Sequence, residues 1–125
     1  MGRFLLVCLG GAAGTGARYL MGTWAVRALG TRFPWGTLLI NALGSFLIVI
    51  VLNAGLGRTG ISPDLRLVLA TGVLGGFTTY SAFNFETMRL FQHGATGLAL
   101  AYVGATVFGC LLTGSIGLLA ARLLP

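Results

Sequence analysis

The sequence contains no lysine, one histidine and only two acidic residues, Asp64 and Glu86. With so few titratable side chains, no Ser/His/Asp, Cys/His or metal-ligand cluster can be assembled, and we expect no enzyme. The two cysteines, Cys8 and Cys110, lie in apolar sequence, and we interpret them as packing residues without a disulfide or a bound metal. The arginines form no polybasic run, so nucleic-acid binding is not indicated either.

Charge is scarce in this chain and apolar sequence is abundant. Of the 125 residues, 8% are charged and 56% are hydrophobic, whereas a soluble domain carries about 25% charged residues. A membrane-spanning helix needs roughly 20 predominantly apolar residues. We therefore expect an all-α membrane protein with one transmembrane domain over residues 1–125. Its four predicted spans lie at about 4–29, 35–56, 65–90 and 95–124. We do not expect the first span to be a signal peptide, because it is long and carries Arg18.

The arginines give little indication of orientation. With four spans, both termini face the same side, together with Arg3, Arg58, Arg66 and Arg122, and the other side has Arg27, Arg32 and Arg89. A split of four arginines against three is too even for the positive-inside rule to decide the orientation. Two interpretations stay open: a weak bias that fixes one orientation, or insertion both ways, which allows two oppositely oriented copies to pair.

Residues 72–86, GVLGGFTTYSAFNFE, lie inside the third predicted span and combine three glycines, a run of hydroxyl residues and three phenylalanines. Glycine and short hydroxyl side chains weaken a helix. One interpretation is a plain membrane helix with a small-residue packing face. The other is a helix break whose freed carbonyls and hydroxyls hold something polar, because irregular backbone at membrane depth needs internal partners.

Polar side chains also occur in the second and fourth spans. Asn41 is either an interhelical hydrogen-bonding residue or an anion donor in a pore. In the fourth span, polar residues recur on one helical face at spacings of 4, 4 and 3: Tyr102, Thr106, Cys110 and Thr113. Such a stripe is either packing or a polar track, and beside Asn41 a track becomes a reasonable hypothesis.

Three segments together resemble the Fluc (CrcB) family of fluoride channels along essentially the whole chain. They are GGAAGTGARY at 10–19, PWGTLLINALGS at 34–45 and GGFTTYSAFNFE at 75–86. The resemblance implies an antiparallel, dual-topology homodimer in a bacterial inner membrane, with a broken third helix in each copy. It further implies two pores that export fluoride passively, and one structural sodium ion (Na+) at the centre of the dimer.

The resemblance also assigns expected roles to individual residues. The carbonyls of Gly75 and Thr78 match the sodium ligands. The positions that match pore residues are Asn41, Tyr80, Phe83 and Tyr102, and Arg18 matches an arginine near the vestibule. The chain departs from the family pattern where Tyr80 replaces a phenylalanine, Ala82 a threonine and Cys110 a hydroxyl residue, and the last two weaken the expectation of a continuous hydroxyl track.

Fluoride is small and strongly hydrated, so a pore must replace its water with donors that do not trap it. The Asn41 amide and the Thr79 and Ser81 hydroxyls can donate, and Thr106 extends the expected track. Ring edges carry the positive part of the aromatic quadrupole, so Phe83 and Tyr80 can face an anion.

Two other classes of protein share these general features. A small proton-coupled multidrug-type transporter also has four spans, but it needs a membrane-embedded carboxylate, for which Glu86 is the one candidate. A structural or assembly subunit would not need Asn41 and a broken third helix together. The sequence leaves the roles of Glu86, Cys110 and Ala82 open.

Overall fold

The computed structural model describes residues 1–54 and 60–123, and all regular structure in these two ranges is helical. The elements are α1 (Gly2–Leu29), α2 (Trp35–Ala54), α3 (Pro63–Leu67), a π-helical segment (Val68–Leu74), α4 (Gly75–Phe77), α5 (Tyr80–Gln92) and α6 (Thr96–Leu123). Three helices within the described residues are long and apolar enough to cross a membrane: Gly2–Leu29, Trp35–Asn53 and Thr96–Leu123. The chain is thus an all-α, multi-pass membrane protein, as the composition predicts.

The third predicted span, 65–90, is not one continuous helix. Helical structure runs from Pro63 to Phe77 and stops, because Thr78 (φ −77°, ψ 157°) and Thr79 (φ −153°, ψ 115°) are extended. Helix α5 then begins at Tyr80. Of the two interpretations of this segment, the structure therefore supports the helix break and places it at the two threonines.

The start of this interrupted segment follows its sequence. The Ser62 hydroxyl accepts a hydrogen bond from the Leu65 backbone N–H at 3.2 Å, and Pro63 occupies the first helical turn. The predicted second-span end at Leu56, the predicted fourth-span end at Leu124, and Arg58 lie outside the described residues.

Helix α1 packs closely on the π-helical segment and α4 through backbone contacts. A Cβ atom added to Gly14 would fall on the Val73 carbonyl oxygen, and one added to Gly76 would fall on the Gly11 carbonyl oxygen. Only glycine permits so close an approach, which is the packing mode typical of helices in lipid. The glycines of α1 are therefore used for packing inside the chain.

Helix α2 packs mainly on α6, and the large apolar side chains of the chain point mostly outwards. Leu20, Phe108 and Leu119, for example, are 69%, 73% and 60% exposed. Because lipid tails are as apolar as leucine, such an exterior suits a hydrocarbon environment. The interior instead collects the polar groups described below.

The two connections at one end of the fold turn at glycine. Gly30 (φ 84°) ends α1, and Gly94 (φ 72°) lies between α5 and α6. Both adopt the left-handed region that only glycine enters without strain. At the opposite end, Arg3 forms an exposed ion pair with Asp64 at 2.8 Å, which ties the start of α1 to the start of α3.

Candidate functional site

The two threonines at the break supply local caps to the helices on either side. The Thr78 hydroxyl donates to the Leu74 carbonyl at 2.9 Å. The Thr79 hydroxyl accepts from the Ala82 backbone N–H at 3.2 Å, as the N-cap of α5. The hydroxyl residues that weaken a continuous helix thus stabilise the two helix ends that replace it.

Asn41 of α2 closes the break from the side. Its Nδ2 donates to the Thr79 carbonyl at 2.9 Å, and its Oδ1 accepts from the Thr79 N–H at 2.8 Å. This reciprocal pair satisfies the backbone of the residue that is most out of helical register. The interhelical hydrogen bond considered for Asn41 is therefore present. It uses one of the two amide N–H groups, and the donor role towards an anion stays a prediction.

The approach of α2 to the break depends on Gly44. A Cβ atom at this position would overlap the Thr78 side-chain methyl group. Gly44, about one helical turn after Asn41 on α2, therefore allows the Asn41 amide to reach Thr79.

At the break, two backbone N–H groups do not bond to the carbonyls that they would reach in a continuous helix. In an α-helix, the Gly75 carbonyl would accept from the Thr79 N–H, and the Thr78 carbonyl from the Ala82 N–H. Here the Thr79 N–H donates to Asn41, and the Ala82 N–H donates to the Thr79 hydroxyl. Gly75 is exposed and Thr78 is half-buried, so both positions are accessible from outside the chain.

Aromatic rings extend from the break into the bundle. Tyr80 is 79% exposed, and its ring centroid lies 5.6 Å from that of Phe83, which is 8% exposed. Phe83 lies 5.3 Å from Tyr102 of α6, which is completely buried. Both contacts are edge-to-face, so ring edges and faces alternate along this line. The structure thus brings together three of the predicted pore residues.

Glu86 of α5 organises a polar cluster beside these rings. Its Oε1 accepts from the Thr37 hydroxyl of α2 at 2.8 Å, and its Oε2 accepts from the Tyr102 hydroxyl at 2.6 Å. Sequence reasoning left Glu86 without a role and did not consider Thr37. The sequence feature that could have indicated this role is a single carboxylate inside a predicted span, because an acid at membrane depth needs a polar partner.

The fourth-span stripe divides into two parts. Tyr102 and Thr106 are buried, and the Thr106 hydroxyl is a buried polar atom without a hydrogen-bond partner among the described residues. Thr113 instead donates to the Ala42 carbonyl of α2 at 2.8 Å, so its hydroxyl serves helix packing. Cys110, between them, is half-buried and free. Of these two threonine hydroxyls, that of Thr113 is engaged in helix packing, and that of Thr106 has no hydrogen-bond partner among the described residues.

An open cavity of about 940 Å³ leads towards the break from the end of the fold that carries the Gly30 turn. It is lined by Arg18, by Thr79 at the break, and by the Thr37 and Glu86 pair. Further arginines line it at its outer part, namely Arg27, Arg32 and Arg89. Four guanidinium groups against one carboxylate give this cavity a positive field that favours anions. The predicted vestibule residue and three arginines predicted to share one side thus meet in one place.

Ser81 lies next to the break, where its hydroxyl is 3.3 Å from that of Thr79. Ser81 is exposed and Thr79 is buried. The pair therefore connects the interior of the break with the outer surface of the chain.

Comparison with known proteins decides the family. The family described as "CrcB-like protein, Camphor Resistance (CrcB)" matches residues 5–118. The chain belongs to the CrcB family. Three similar proteins are each named "Fluoride-specific ion channel FluC". The relative from Anaeromyxobacter sp. (strain K) is 55% identical, with 98% of this chain and 97% of the relative covered. Those from Chelativorans sp. (strain BNC1) and Thermus thermophilus are each 50% identical, covering 98% and 92% of this chain and 98% and 90% of the relative.

Membership of the CrcB family confirms the resemblance that the three sequence segments indicate. Those segments contribute the parts of the site: 10–19 supplies Arg18 and close-packed glycines, 34–45 supplies Thr37 and Asn41, and 75–86 supplies the break and Glu86. The family segments are thus contiguous in space around the break, although up to about half the chain separates them in sequence.

Proposed function

We propose that this chain is a fluoride-selective channel that exports fluoride passively. The observation that carries the proposal is the name shared by relatives of 50–55% identity over nearly the whole chain, "Fluoride-specific ion channel FluC". The geometry supports it, because an arginine-lined cavity ends at a helix break surrounded by hydroxyls and ring edges. This combination attracts a small anion and replaces its water with weak donors.

The proposed pathway starts in the cavity at Arg18. It follows the line of rings formed by Tyr102, Phe83 and Tyr80. It also includes the hydroxyls of Thr79 and Ser81 at the break and of Thr106 on α6. An unpaired buried hydroxyl costs about 1–3 kcal/mol, and this cost is offset when an ion or a water molecule accepts a hydrogen bond from it. The missing partner of Thr106 within the described residues therefore supports a place on the pathway.

The proposed role of Asn41 is to face the pathway with its second amide N–H. Its first N–H and its carbonyl oxygen fix the amide against Thr79. A donor held in this way is preorganised for an anion and needs no rearrangement when one arrives.

Two copies in opposite orientations form the proposed assembly, with two pores. In this proposal each copy crosses the membrane four times: the three long apolar helices make three passes, and the interrupted segment from Pro63 to Gln92 would make the fourth. Exposure of Tyr80 and Gly75 on a single chain supports a partner at this face. The proposed location is a bacterial inner membrane, with lipid around the remaining apolar exterior. Single-cysteine labelling of the C-terminus tests the assembly: comparable labelling from both sides supports it, and one orientation in nearly all molecules contradicts it.

A structural sodium ion between the two copies completes the proposal. The residues present fit such a site, because the helical donors of the Gly75 and Thr78 carbonyls are engaged elsewhere. Carbonyl oxygens at the end of a half-helix carry partial negative charge. No group of three His, Cys, Asp or Glu side chains within the described residues offers an alternative metal site. The ion would join the two breaks and would not travel with fluoride.

The multidrug-type transporter is not favoured. Such a transporter needs a carboxylate free to exchange protons, and Glu86 already accepts hydrogen bonds from Thr37 and Tyr102. Efflux from liposomes separates the two functions. We expect fluoride efflux without a proton gradient and strong exclusion of chloride. Equal efflux of both ions, or fluoride movement that strictly requires a proton gradient, contradicts a fluoride channel.

A further inference from the structure

Phe33 is an aromatic residue that neither the sequence pattern nor the family resemblance singles out. It lies in the connection between α1 and α2 and is half-buried. Its ring centroid lies 5.4 Å from that of Tyr102, with the ring planes at 85°, and 4.6 Å from that of Trp35. A loop residue therefore contacts the fully buried tyrosine of α6.

The backbone around Phe33 holds this ring in place. The Phe33 carbonyl accepts from the Trp35 N–H at 2.8 Å, and the Pro34 carbonyl accepts from the Leu38 N–H at 3.2 Å. Pro34 also restricts the backbone of the residue before it. Phe33 is thus fixed at the start of α2, one helical turn before Thr37.

Phe33 lies between the cavity and the Tyr102 ring. It lines the cavity, as Thr37 and Glu86 do, whereas Tyr102 and Phe83 are not among the described residues that line it. The Tyr102 ring has Phe33 as one edge-to-face neighbour and Phe83 as another. Phe33 is therefore the cavity-side ring in a series that continues through Tyr102 to Phe83.

We propose that Phe33 is a specificity-determining residue that closes the wall between the cavity and Tyr102. Its ring narrows the passage to the Tyr102 and Phe83 rings and also presses Tyr102 into the position in which its hydroxyl reaches Glu86. This proposal rests on the proposed fluoride channel and adds to it a residue that excludes larger anions. Replacing the ring by a small side chain widens the passage, so chloride gains access while fluoride still passes.

Purified full-length protein in liposomes, with fluoride and chloride efflux measured separately, tests this role. We expect Phe33→Ala to raise the chloride-to-fluoride efflux ratio at least about tenfold over the unmodified protein, and Phe33→Leu to raise it less. Phe33→Tyr, which keeps the ring, should exclude chloride as the unmodified protein does. Phe33→Trp, which fills the passage further, should slow fluoride efflux severalfold. Phe4→Ala is the matched control, since Phe4 is 66% exposed near the start of α1, and it should leave both ions unaffected.

Two results would overturn the role of Phe33. One is an unchanged efflux ratio in folded Phe33→Ala protein, and the other is complete loss of its fluoride efflux with chloride still excluded. If the smaller variants do not fold, Phe33→Trp decides, because unchanged fluoride efflux in that variant contradicts a closure at Phe33. Failure of the unmodified protein to pass fluoride in the same liposomes would instead contradict the proposed channel function and is thereby distinguishable.

Discussion

The two halves of the interrupted third segment satisfy their backbone hydrogen bonds in different ways. Before the break, the π-helical segment and α4 lie against α1 through glycines at backbone distance. After Phe77, the extended residues Thr78 and Thr79 are held by side-chain hydrogen bonds, above all those of Asn41. In hydrocarbon every backbone polar group needs an internal partner. A regular helix supplies these hydrogen-bond partners from its own backbone, so it can pack tightly against a neighbour. An interrupted helix needs a donor and an acceptor from a neighbouring side chain.

This difference separates stability from conduction. Changes in the glycine contact should affect mainly the folded state, because Gly14 and Gly76 are not among the described residues that line the cavity. Changes at the break should affect mainly ion flux, because its polar groups lie beside the cavity. The following experiments test that separation.

The largest effect is expected at Asn41. Asn41→Asp removes the Nδ2 donor to the Thr79 carbonyl and puts a carboxylate where an anion is to pass, and like charges repel strongly at low dielectric. We predict that fluoride efflux falls to background and that thermal stability in detergent is lowered. Asn53→Asp is the matched control on the same helix, since Asn53 bonds only to the Val49 carbonyl one turn away among the contacts described. Normal flux in Asn41→Asp would remove Asn41 from the pathway.

Removal of sodium should have the next largest effect. If the Gly75 and Thr78 carbonyls of two copies hold sodium, prolonged dialysis against a sodium-free buffer should lower fluoride efflux or dissociate the dimer, because unmatched carbonyls at membrane depth are costly. Dimer content by size-exclusion chromatography and fluoride efflux are the two measurements. A sodium gradient should not drive fluoride uphill, and accumulation under such a gradient would show that the ion is transported rather than structural.

Gly14 tests the packing half of the comparison. Gly14→Ala brings a Cβ atom onto the Val73 carbonyl oxygen, and such overpacking costs about 1–3 kcal/mol. We predict a lower melting temperature in detergent with fluoride efflux per folded protein largely retained. Gly16→Ala, which adds a Cβ atom with nothing within 4 Å, should change neither. Loss of conduction in folded Gly14→Ala protein would show that the glycine contact affects ion flux as well as stability.

The smallest effects are expected from the two threonines of α6, and they should have opposite signs in stability. Thr106→Val removes a buried hydroxyl without a described partner, so it should stabilise the fold by about 1 kcal/mol and slow fluoride efflux severalfold. Thr113→Val removes the hydrogen bond to the Ala42 carbonyl, so it should destabilise the fold by about 1–2 kcal/mol with efflux preserved. Equal behaviour of the two variants would place both hydroxyls in packing.

Local sequence accounts for much of what the structure contains. Scarce charge and long apolar runs determine the membrane class, since the cost of burying polar groups in lipid is independent of how helices are arranged. The glycines and hydroxyl residues of 72–86 determine a weak point in the third span, because helix propensity and capping act within one turn. Three motif segments determine the family.

Only the tertiary structure decided which polar groups meet. Asn41 pairs with a threonine 38 residues later, Thr37 with an acid 49 residues later, and Thr113 with a carbonyl 71 residues earlier. No periodicity within a helix encodes such partners, because they depend on how glycine contacts set the distance and rotation of whole helices. For the same reason Phe33 is only one more aromatic in the sequence. It becomes a neighbour of Tyr102 when the α1–α2 connection folds back over α6.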